Sequence, residues 1–343
     1  MNNKETILSI QNLSISFATY EGEIEAVRDI SIELYKGEVL AIVGESGCGK
    51  SVSFLSTVKL LPSPPAVYKG GKIIYEDKNL IDFTQRQMEN IRGSEIAVIL
   101  QDPMTSLNPT MQIGNQIIES IVKHTSVSRS EAYKKAVDIL ELCGIPNASG
   151  RMKQYPHEFS GGMRQRVCIA IALSCNPKLL IADEPTTALD VTIQAQILDL
   201  LRDLKNKLNT SIVLITHDLG VVVDMANRIA VMYAGKIVEI GTVNEIFYES
   251  GHPYTWGLLN SIPKLTDTNK TDLKAITGTP PDLFKPPVGC GFAARCEYAM
   301  KICYKQQPPL FDCGGIHKSA CWLKHENAPA VTRPGRHGGE TLE

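Results

Sequence analysis

Residues 44–51 read GESGCGKS and match the pattern G-x-x-x-x-G-K-S/T, which is typical of a phosphate-binding loop. The apolar residues 38–43 predict a strand before the loop, and residues 52–61 predict a helix after it. The glycines let backbone N–H groups approach phosphate oxygens, and the helix N-terminus adds a partial positive charge. Lys50 is expected to reach the β- and γ-phosphates of a nucleotide, and Ser51 to bind Mg²⁺. We therefore predict nucleotide binding by Gly44, Glu45, Ser46, Gly47, Cys48, Gly49, Lys50, Ser51 and Val52.

The composition predicts a globular protein and gives no sign of membrane spans or nucleic-acid binding. The chain has 343 residues, enough for two domains, and its 43% hydrophobic content predicts a large core. A formal net charge of -2 gives no sign of a nucleic-acid-binding surface. No apolar run approaches the length of a membrane span, and the first residues lack the apolar core of a signal peptide. These features predict a cytosolic chain, and any membrane role must come through partner subunits.

The N-terminal region predicts an antiparallel layer of strands. Residues 7–10, 13–17 and 30–34 are rich in isoleucine and leucine, and a turn is predicted near residue 20. Tyr20 or Phe17 can stack on an adenine base. Packing of either ring in the core is the alternative.

A continuous apolar run, residues 179–184, ends in two carboxylates and predicts a strand buried on both faces of a parallel sheet. Asp183 is expected to hold Mg²⁺, and Glu184 to polarise the attacking water as a general base. Acidic residues in this place often only cap the next helix, but the phosphate loop favours the catalytic interpretation.

Two further strands end in polar residues with candidate roles. Residues 96–100 lead to Gln101, which is expected near Mg²⁺ and the attacking water. Residues 212–216 lead to His217, which can contact the γ-phosphate if it lies in the ligand crevice of a doubly wound sheet. The alternatives are an ordinary turn glutamine and a structural histidine.

A helical insertion is predicted between these strands. Apolar residues recur at helical spacing over residues 114–145. Ser160, Gly161 and Gly162 then open another helix and form a second N-terminus suited to an anion. One nucleotide does not need two such sites from one chain, whereas two chains facing each other use both.

The order of these motifs resembles that of the ATP-binding cassette (ABC) ATPases over about residues 5–250. The matching motifs are Walker A (44–51), the Q-loop (Gln101), the signature (160–163), Walker B (Asp183 and Glu184), the D-loop (188–190) and the switch histidine (His217). Phe159 and Met163 depart from the usual leucine and glutamine of the signature. The resemblance implies an α/β P-loop NTPase core, with a mixed sheet, an antiparallel β layer and a helical signature subdomain at about residues 102–165.

The resemblance also implies a mechanism. Two ATPase subunits form a head-to-tail pair, and ATP lies between the phosphate loop of one and the signature of the other. Ser160, Gly161 and Gly162, with Asp190 of the D-loop, then belong to the partner's nucleotide site. Glu184 is the implied catalytic base.

A narrower resemblance is to the ATPases of peptide/nickel-type importers. It is carried by residues 101–109, 252–259 and 289–296. It implies a sister ATPase, two permease subunits and an extracytoplasmic solute-binding protein, with this chain on the cytoplasmic face of the membrane. The alternatives are an importer of nickel or another small solute, and a soluble cassette ATPase of DNA repair or translation. That last class predicts a basic patch or tandem cassettes.

Five of the nine cysteines fall between Cys290 and Cys321, in a predicted irregular Cys-rich extension. They lack a C-x2-C pair, so a zinc ribbon fits poorly. The importer resemblance implies a structural 4Fe–4S cluster on Cys290, Cys296, Cys303 and Cys321, with Cys313 as the alternative fourth ligand. Zinc, free thiols and disulfides remain open. His317 can also act as a ligand, but it is predicted to lie on the surface. The predicted units are a nucleotide-binding domain (1–263), a Pro-rich linker (264–288), the extension (289–325) and a disordered tail (326–343).

Overall fold

The phosphate loop lies between two β-sheets in the computed structural model, which describes residues 5–187, 189–262, 276–331 and 333. The strands are β1 (Thr6–Thr19), β2 (Gly22–Tyr35), β3 (Val39–Val43), β4 (Ala66–Tyr75), β5 (Lys78–Asn79), β6 (Ile96–Ile99), β7 (Leu179–Asp183), β8 (Ser211–Thr216), β9 (Arg228–Tyr233), β10 (Lys236–Thr242), β11 (Phe311–Gly314) and β12 (His317–Ser319).

The α-helices connect the strands, and several of them form an insertion between β6 and β7. They are α1 (Lys50–Leu55), α2 (Gln85–Ile91), α3 (Pro103–Ser106), α4 (Ile113–His124), α5 (Arg129–Leu142), α6 (Ala148–Arg151), α7 (Gly161–Leu173), α8 (Val191–Leu208), α9 (Val243–Glu249) and α10 (Pro253–Asn260). No described helix has both the length and the apolar character needed to cross a membrane.

The smaller sheet has the order β2-β1-β4-β5 and is antiparallel, which confirms the predicted antiparallel layer. The sequence wrongly predicted two strands where β1 runs without interruption. The register shifts between Ile10 and Leu13, and Asn12 adopts a left-handed conformation with φ 49°. The Asn12 N–H donates to the Ser31 hydroxyl at 2.9 Å, and β1 continues through this irregularity to Thr19.

The larger sheet has the order β11-β12-β10-β9-β3-β8-β7-β6. Strands β3, β8, β7 and β6 are parallel, and every residue of β3, β7 and β8 is buried, as predicted for a sheet covered on both faces. Their carboxyl ends meet at one edge, where the phosphate loop follows β3 and where Asp183 ends β7.

The helix after the phosphate loop is shorter than predicted. Helix α1 ends at Leu55, and a single 3₁₀ turn, Ser56–Val58, follows it. Lys59 then adopts φ 50°, and its ammonium group donates to the carbonyls of Ile81 and Phe83. This left-handed residue ends the helical segment before residue 61.

Two helices, α4 and α5, cover residues 114–145, where the sequence predicted one helical segment. Helix α5 begins at a capping box formed by Ser128 and Glu131, which separates it from α4. The apolar residues used in the prediction are all buried and share one core with α7. They are Ile117, Ile118, Ile121, Ala132, Ala136, Ile139 and Leu140.

The C-terminal segment is irregular, and it is joined to the core through the larger sheet. Strand β12 pairs with β10 through Glu239 opposite Ser319 and Ile240 opposite Lys318. The predicted linker, 264–288, and the predicted tail, 326–343, lie partly outside the described residues.

Candidate functional site

The phosphate loop is pressed against the backbone of neighbouring strands. Gly44 has φ 155° and Gly49 has φ 98°. A Cβ atom at Gly44 would lie 2.2 Å from the Met232 carbonyl oxygen, and one at Gly49 would lie 2.3 Å from that of Ala26. These distances are too short for any side chain, so the close approach itself requires glycine at both positions.

Lys50 is 4% exposed and turns back over the loop. Its ammonium group donates to the carbonyl oxygens of Gly44 at 2.7 Å and Glu45 at 3.0 Å. A cation held over a glycine-rich loop at a helix N-terminus can pair with phosphate oxygens.

Two predicted Mg²⁺ ligands lie side by side. The Ser51 hydroxyl donates to the Asp183 carboxylate at 2.8 Å, although the two residues lie 132 positions apart in the chain. Burial raises the pKa of Asp183, although its bond from Ser51 acts in the opposite direction. A carboxylate and a hydroxyl supply the oxygen ligands that Mg²⁺ prefers, and the cation would offset the cost of burying the charge.

Glu184 is the meeting point of three strand ends. Its Oε2 accepts from the Gln101 amide at 2.9 Å and from the Thr187 hydroxyl at 2.9 Å, and it lies 3.4 Å from Nδ1 of His217. Glu184 has φ 46°, and its N–H donates to the Ile215 carbonyl at 2.9 Å. Its side chain is 13% exposed. The structure therefore brings together the predicted base, the glutamine and the histidine.

The sequence analysis missed Thr187. In the sequence, only its position three residues after Glu184 indicates that Thr187 could lie near the site. In the structure it stands in a turn. Thr187 and Gln101 both donate to the same carboxylate oxygen, and two such donors orient that side chain.

The predicted signature and D-loop residues lie together but form a separate group. Ser160 caps α7 by accepting the Met163 N–H, and Asp190 caps α8 by accepting the Ile193 N–H. A Cβ at Gly162 would lie 2.8 Å from Ile193, and one at Gly161 would lie 3.7 Å from Leu189. Within the described ranges, no hydrogen bond joins Ser160 or Asp190 to residues 44–51. Ala188 lies outside those ranges.

The candidate adenine-stacking residues differ in exposure. Tyr20 is fully exposed at the turn between β1 and β2, whereas Phe17 is half-buried in β1. Val52 is half-buried in α1. Tyr20 therefore has the more accessible ring, and adenine stacking on it stays a prediction.

Cys290, Cys296, Cys303 and Cys321 line one small cavity together with His252. Among the residues that the structure describes, however, no three His, Cys, Asp or Glu side chains have the arrangement that a metal ion requires. The four cysteines thus share one cavity, but they do not have the arrangement of a metal site. Burial raises the pKa of Cys290 and Cys296 to about 11 and that of Cys321 to about 12, so these thiols are protonated at neutral pH.

His252 is a second unusual group in this cavity. Burial lowers its pKa to about 4, which keeps the ring neutral. Its Nδ1 accepts the Tyr254 N–H at 3.1 Å, so Nε2 carries the ring hydrogen. In the described part of the chain this buried Nε2 has no hydrogen-bond partner.

Two other C-terminal residues behave differently from the four cysteines. Cys313 lies on β11, outside the cavity lining, and its thiol faces the Phe311 carbonyl at 3.8 Å. His317 was predicted to lie on the surface, and that prediction was wrong. It is 2% exposed, because β12 joins the sheet and sets its Nε2 2.7 Å from the buried Glu239 carboxylate.

Comparison with known proteins identifies two family regions. Residues 27–187 match the ABC transporter family, and residues 238–303 match the family described as oligopeptide/dipeptide transporter, C-terminal region. The oligopeptide transport ATP-binding protein OppD of Bacillus subtilis is 58% identical over 328 residues, covering 96% of this chain and 92% of that protein. The dipeptide transport ATP-binding protein DppD of the same organism is 53% identical over 331 residues, covering 96% of this chain and 98% of that protein.

Solved structures share the cassette fold. The structure of cbiO1 from Clostridium perfringens, part of the ABC transporter complex cbiONQ, has a TM-score of 0.62 and 28% identity, covering 72% of this chain and 92% of that one. The ATP-binding cassette MJ0796, solved as a dimer in a post-hydrolysis state bound to ADP and Pi, has a TM-score of 0.62 and 26% identity, covering 69% of this chain and 98% of that one.

Proposed function

We propose that this chain, which belongs to the ABC transporter family of ATPases, powers the import of dipeptides or oligopeptides. The observation that carries the choice of solute is the match of residues 238–303 to the C-terminal region of oligopeptide/dipeptide transporters. The ABC core alone is shared with machines of other kinds, so it does not select a solute.

The site geometry supports a role for each residue near Glu184 in hydrolysis. Glu184 accepts a proton from the attacking water, while Gln101 and Thr187 orient its carboxylate through their 2.9 Å hydrogen bonds. His217 is 58% exposed and contacts the γ-phosphate as the switch residue. Lys50 binds the β- and γ-phosphates through its ammonium group. Ser51, Asp183 and Gln101 would hold Mg²⁺, which would neutralise charge on the phosphate oxygens.

A second chain completes the nucleotide site. Ser160, Gly161, Gly162 and Asp190 form one group that makes no described hydrogen bond to the phosphate loop, which suits contact with a partner's nucleotide. The related cassette MJ0796 was solved as a dimer bound to ADP and Pi. We assign the partner as a sister ATPase, with two permease subunits docked near Gln101 and the helical insertion. A solute-binding protein acts on the far side of the membrane, and this chain lies on the cytoplasmic face.

The cysteine cavity fits a 4Fe–4S cluster in the chemistry of its donors. Cys290, Cys296, Cys303 and Cys321 would supply four sulfur ligands, and the Nε2–H of His252, which has no hydrogen-bond partner among the described residues, would donate to sulfur. A bound cluster would bring positive iron charge to these thiols and hold the irregular segment together. Its role is structural, because ATP-driven import requires no electron transfer. Zinc is the alternative occupant.

Solute choice is tested on the assembled importer. We expect ATP hydrolysis by the complex to rise when the solute-binding protein is loaded with peptide, because solute choice resides mainly in that subunit and the permeases. The measurement is the ATPase rate with peptide-loaded, nickel-loaded and empty binding protein. Stimulation by the nickel-loaded binding protein alone would refute peptide import and would favour nickel import as the function.

The cluster is tested on protein purified without oxygen. We expect a broad brown visible absorption with about four iron and four sulfide per chain. Cys321→Ser should lose iron and colour, whereas Cys313→Ser should keep both, because Cys313 lies outside the cavity lining. A colourless wild type containing one zinc would establish the alternative metal. A metal-free wild type would leave the cysteines as free thiols.

A further inference from the structure

Glu45, the second residue of the phosphate loop, is held on three sides. Its carbonyl accepts from the Lys50 ammonium group at 3.0 Å. Its N–H donates to the Tyr254 hydroxyl at 2.8 Å. Its two carboxylate oxygens accept from Arg295 at 2.7 and 2.9 Å. Tyr254 lies 209 positions later in the chain, and Arg295 lies 250 positions later, in the C-terminal segment.

Arg295 is buried and is held by several hydrogen bonds. Its side chain is 6% exposed, and it also donates to the carbonyls of Ile276 and Thr277 and to the Tyr233 hydroxyl. The hydrogen bonds with Glu45 raise the pKa of Arg295, so the guanidinium stays charged despite its burial. The bidentate pair fixes both the distance and the orientation of the Glu45 carboxylate.

Tyr254 is equally constrained. It is fully buried, and its ring packs against those of Tyr233 at 4.6 Å and Phe292 at 5.3 Å. Its hydroxyl is the acceptor for the Glu45 N–H, so removing that oxygen deprives the loop of one backbone partner.

We propose that Arg295 and Tyr254 are positioning residues of the ATP site: both hold the phosphate loop ready for nucleotide, and Arg295 also neutralises the Glu45 carboxylate. The physical reason is charge. The Glu45 carboxylate is 28% exposed, and without Arg295 it would place an uncompensated negative charge beside the incoming phosphates. The inference rests on the proposed role of residues 44–51 in binding ATP, and it makes the C-terminal segment part of that site.

The test is ATP affinity in the full-length chain, followed by steady-state kinetics of the assembled importer. We expect Arg295→Gln to raise the Kd and KM for ATP at least about tenfold. The kcat at saturating ATP should change little, because Arg295 contacts none of the groups proposed for hydrolysis. Arg295→Lys should recover part of the affinity, since an ammonium keeps the charge but loses the bidentate geometry. Tyr254→Phe should weaken ATP binding about threefold to tenfold.

A double-mutant cycle separates positioning from general damage. Adding Glu45→Gln to Arg295→Gln removes the unpaired carboxylate, so the double variant should bind ATP more tightly than Arg295→Gln alone. Effects that simply add would overturn the proposal. Arg202→Ala serves as the matched control, because Arg202 pairs with Asp199 on the exposed face of α8 and should leave ATP affinity unchanged.

Lys50→Ala distinguishes a failure of the positioning role from a failure of the ATP site itself. Loss of ATP binding in Lys50→Ala, with normal binding in Arg295→Gln, would refute the positioning role and leave the ATP site intact. Normal binding in Lys50→Ala would refute the ATP site itself. If Arg295→Gln fails to fold, ATP affinity is compared between Arg295→Lys and the double variant Glu45→Gln/Arg295→Gln. Wild-type affinity in both variants would refute the positioning role.

Discussion

Glu184→Gln is expected to bind ATP with nearly wild-type affinity while its hydrolysis rate falls by about 10²-fold or more. The amide has the size of the carboxylate and keeps the place between Gln101, Thr187 and His217. It cannot accept a proton from water, so the chemical step fails while nucleotide contacts remain. The measurement pairs ATP binding by the purified chain with the ATPase rate of the assembled complex.

Glu249→Gln is the matched control for this variant. Glu249 is exposed at the end of α9, and the same substitution there should leave both ATP binding and turnover unchanged. Turnover in Glu184→Gln equal to that of the wild type would rule out Glu184 as the base.

Gly49→Ala is expected to lose ATP binding and to lower the free energy of unfolding by several kcal/mol. The residue has φ 98°, and the added Cβ would lie 2.3 Å from the Ala26 carbonyl oxygen. That oxygen belongs to the backbone of β2, which cannot move aside as a flexible side chain would. ATP titration and thermal unfolding of the purified chain measure the two effects.

Gly47→Ala provides the comparison, because it shares the backbone conformation without the clash. Gly47 has φ 79°, and a Cβ there meets no atom within 4 Å. Only the cost of the left-handed conformation applies, on the order of 1 kcal/mol. Equal melting temperatures for the two alanine variants would show that the close approach of Ala26 does not govern loop stability.

The sequence predicted which residues meet at the proposed hydrolytic site because most of them follow a rule of parallel sheets. Asp183, Glu184 and His217 come at or directly after buried strands, and parallel strands end at the same edge of a sheet. Gln101 comes two residues after the end of β6, a parallel strand of the same sheet, and its amide contacts Glu184. Thr187 was missed because it stands in a turn and belongs to no motif.

Errors arose where a distant contact overrides a local pattern. Strand β1 continues past Asn12 because it pairs with β2 and β4 on its two sides. His317 looked like a surface residue in an irregular segment, yet it is buried against Glu239, 78 positions earlier in the chain. Neither contact leaves a periodic signal in its own segment.

The sequence by itself determined the motifs, their order and the buried parallel strands, because each depends on residues that are neighbours in the chain. The tertiary structure alone decided which distant side chains meet. It set Arg295 against Glu45, gathered four cysteines around one cavity and left Cys313 outside it. Such contacts depend on how an irregular segment folds back onto the core, and backbone geometry there follows no period from which a neighbour can be predicted.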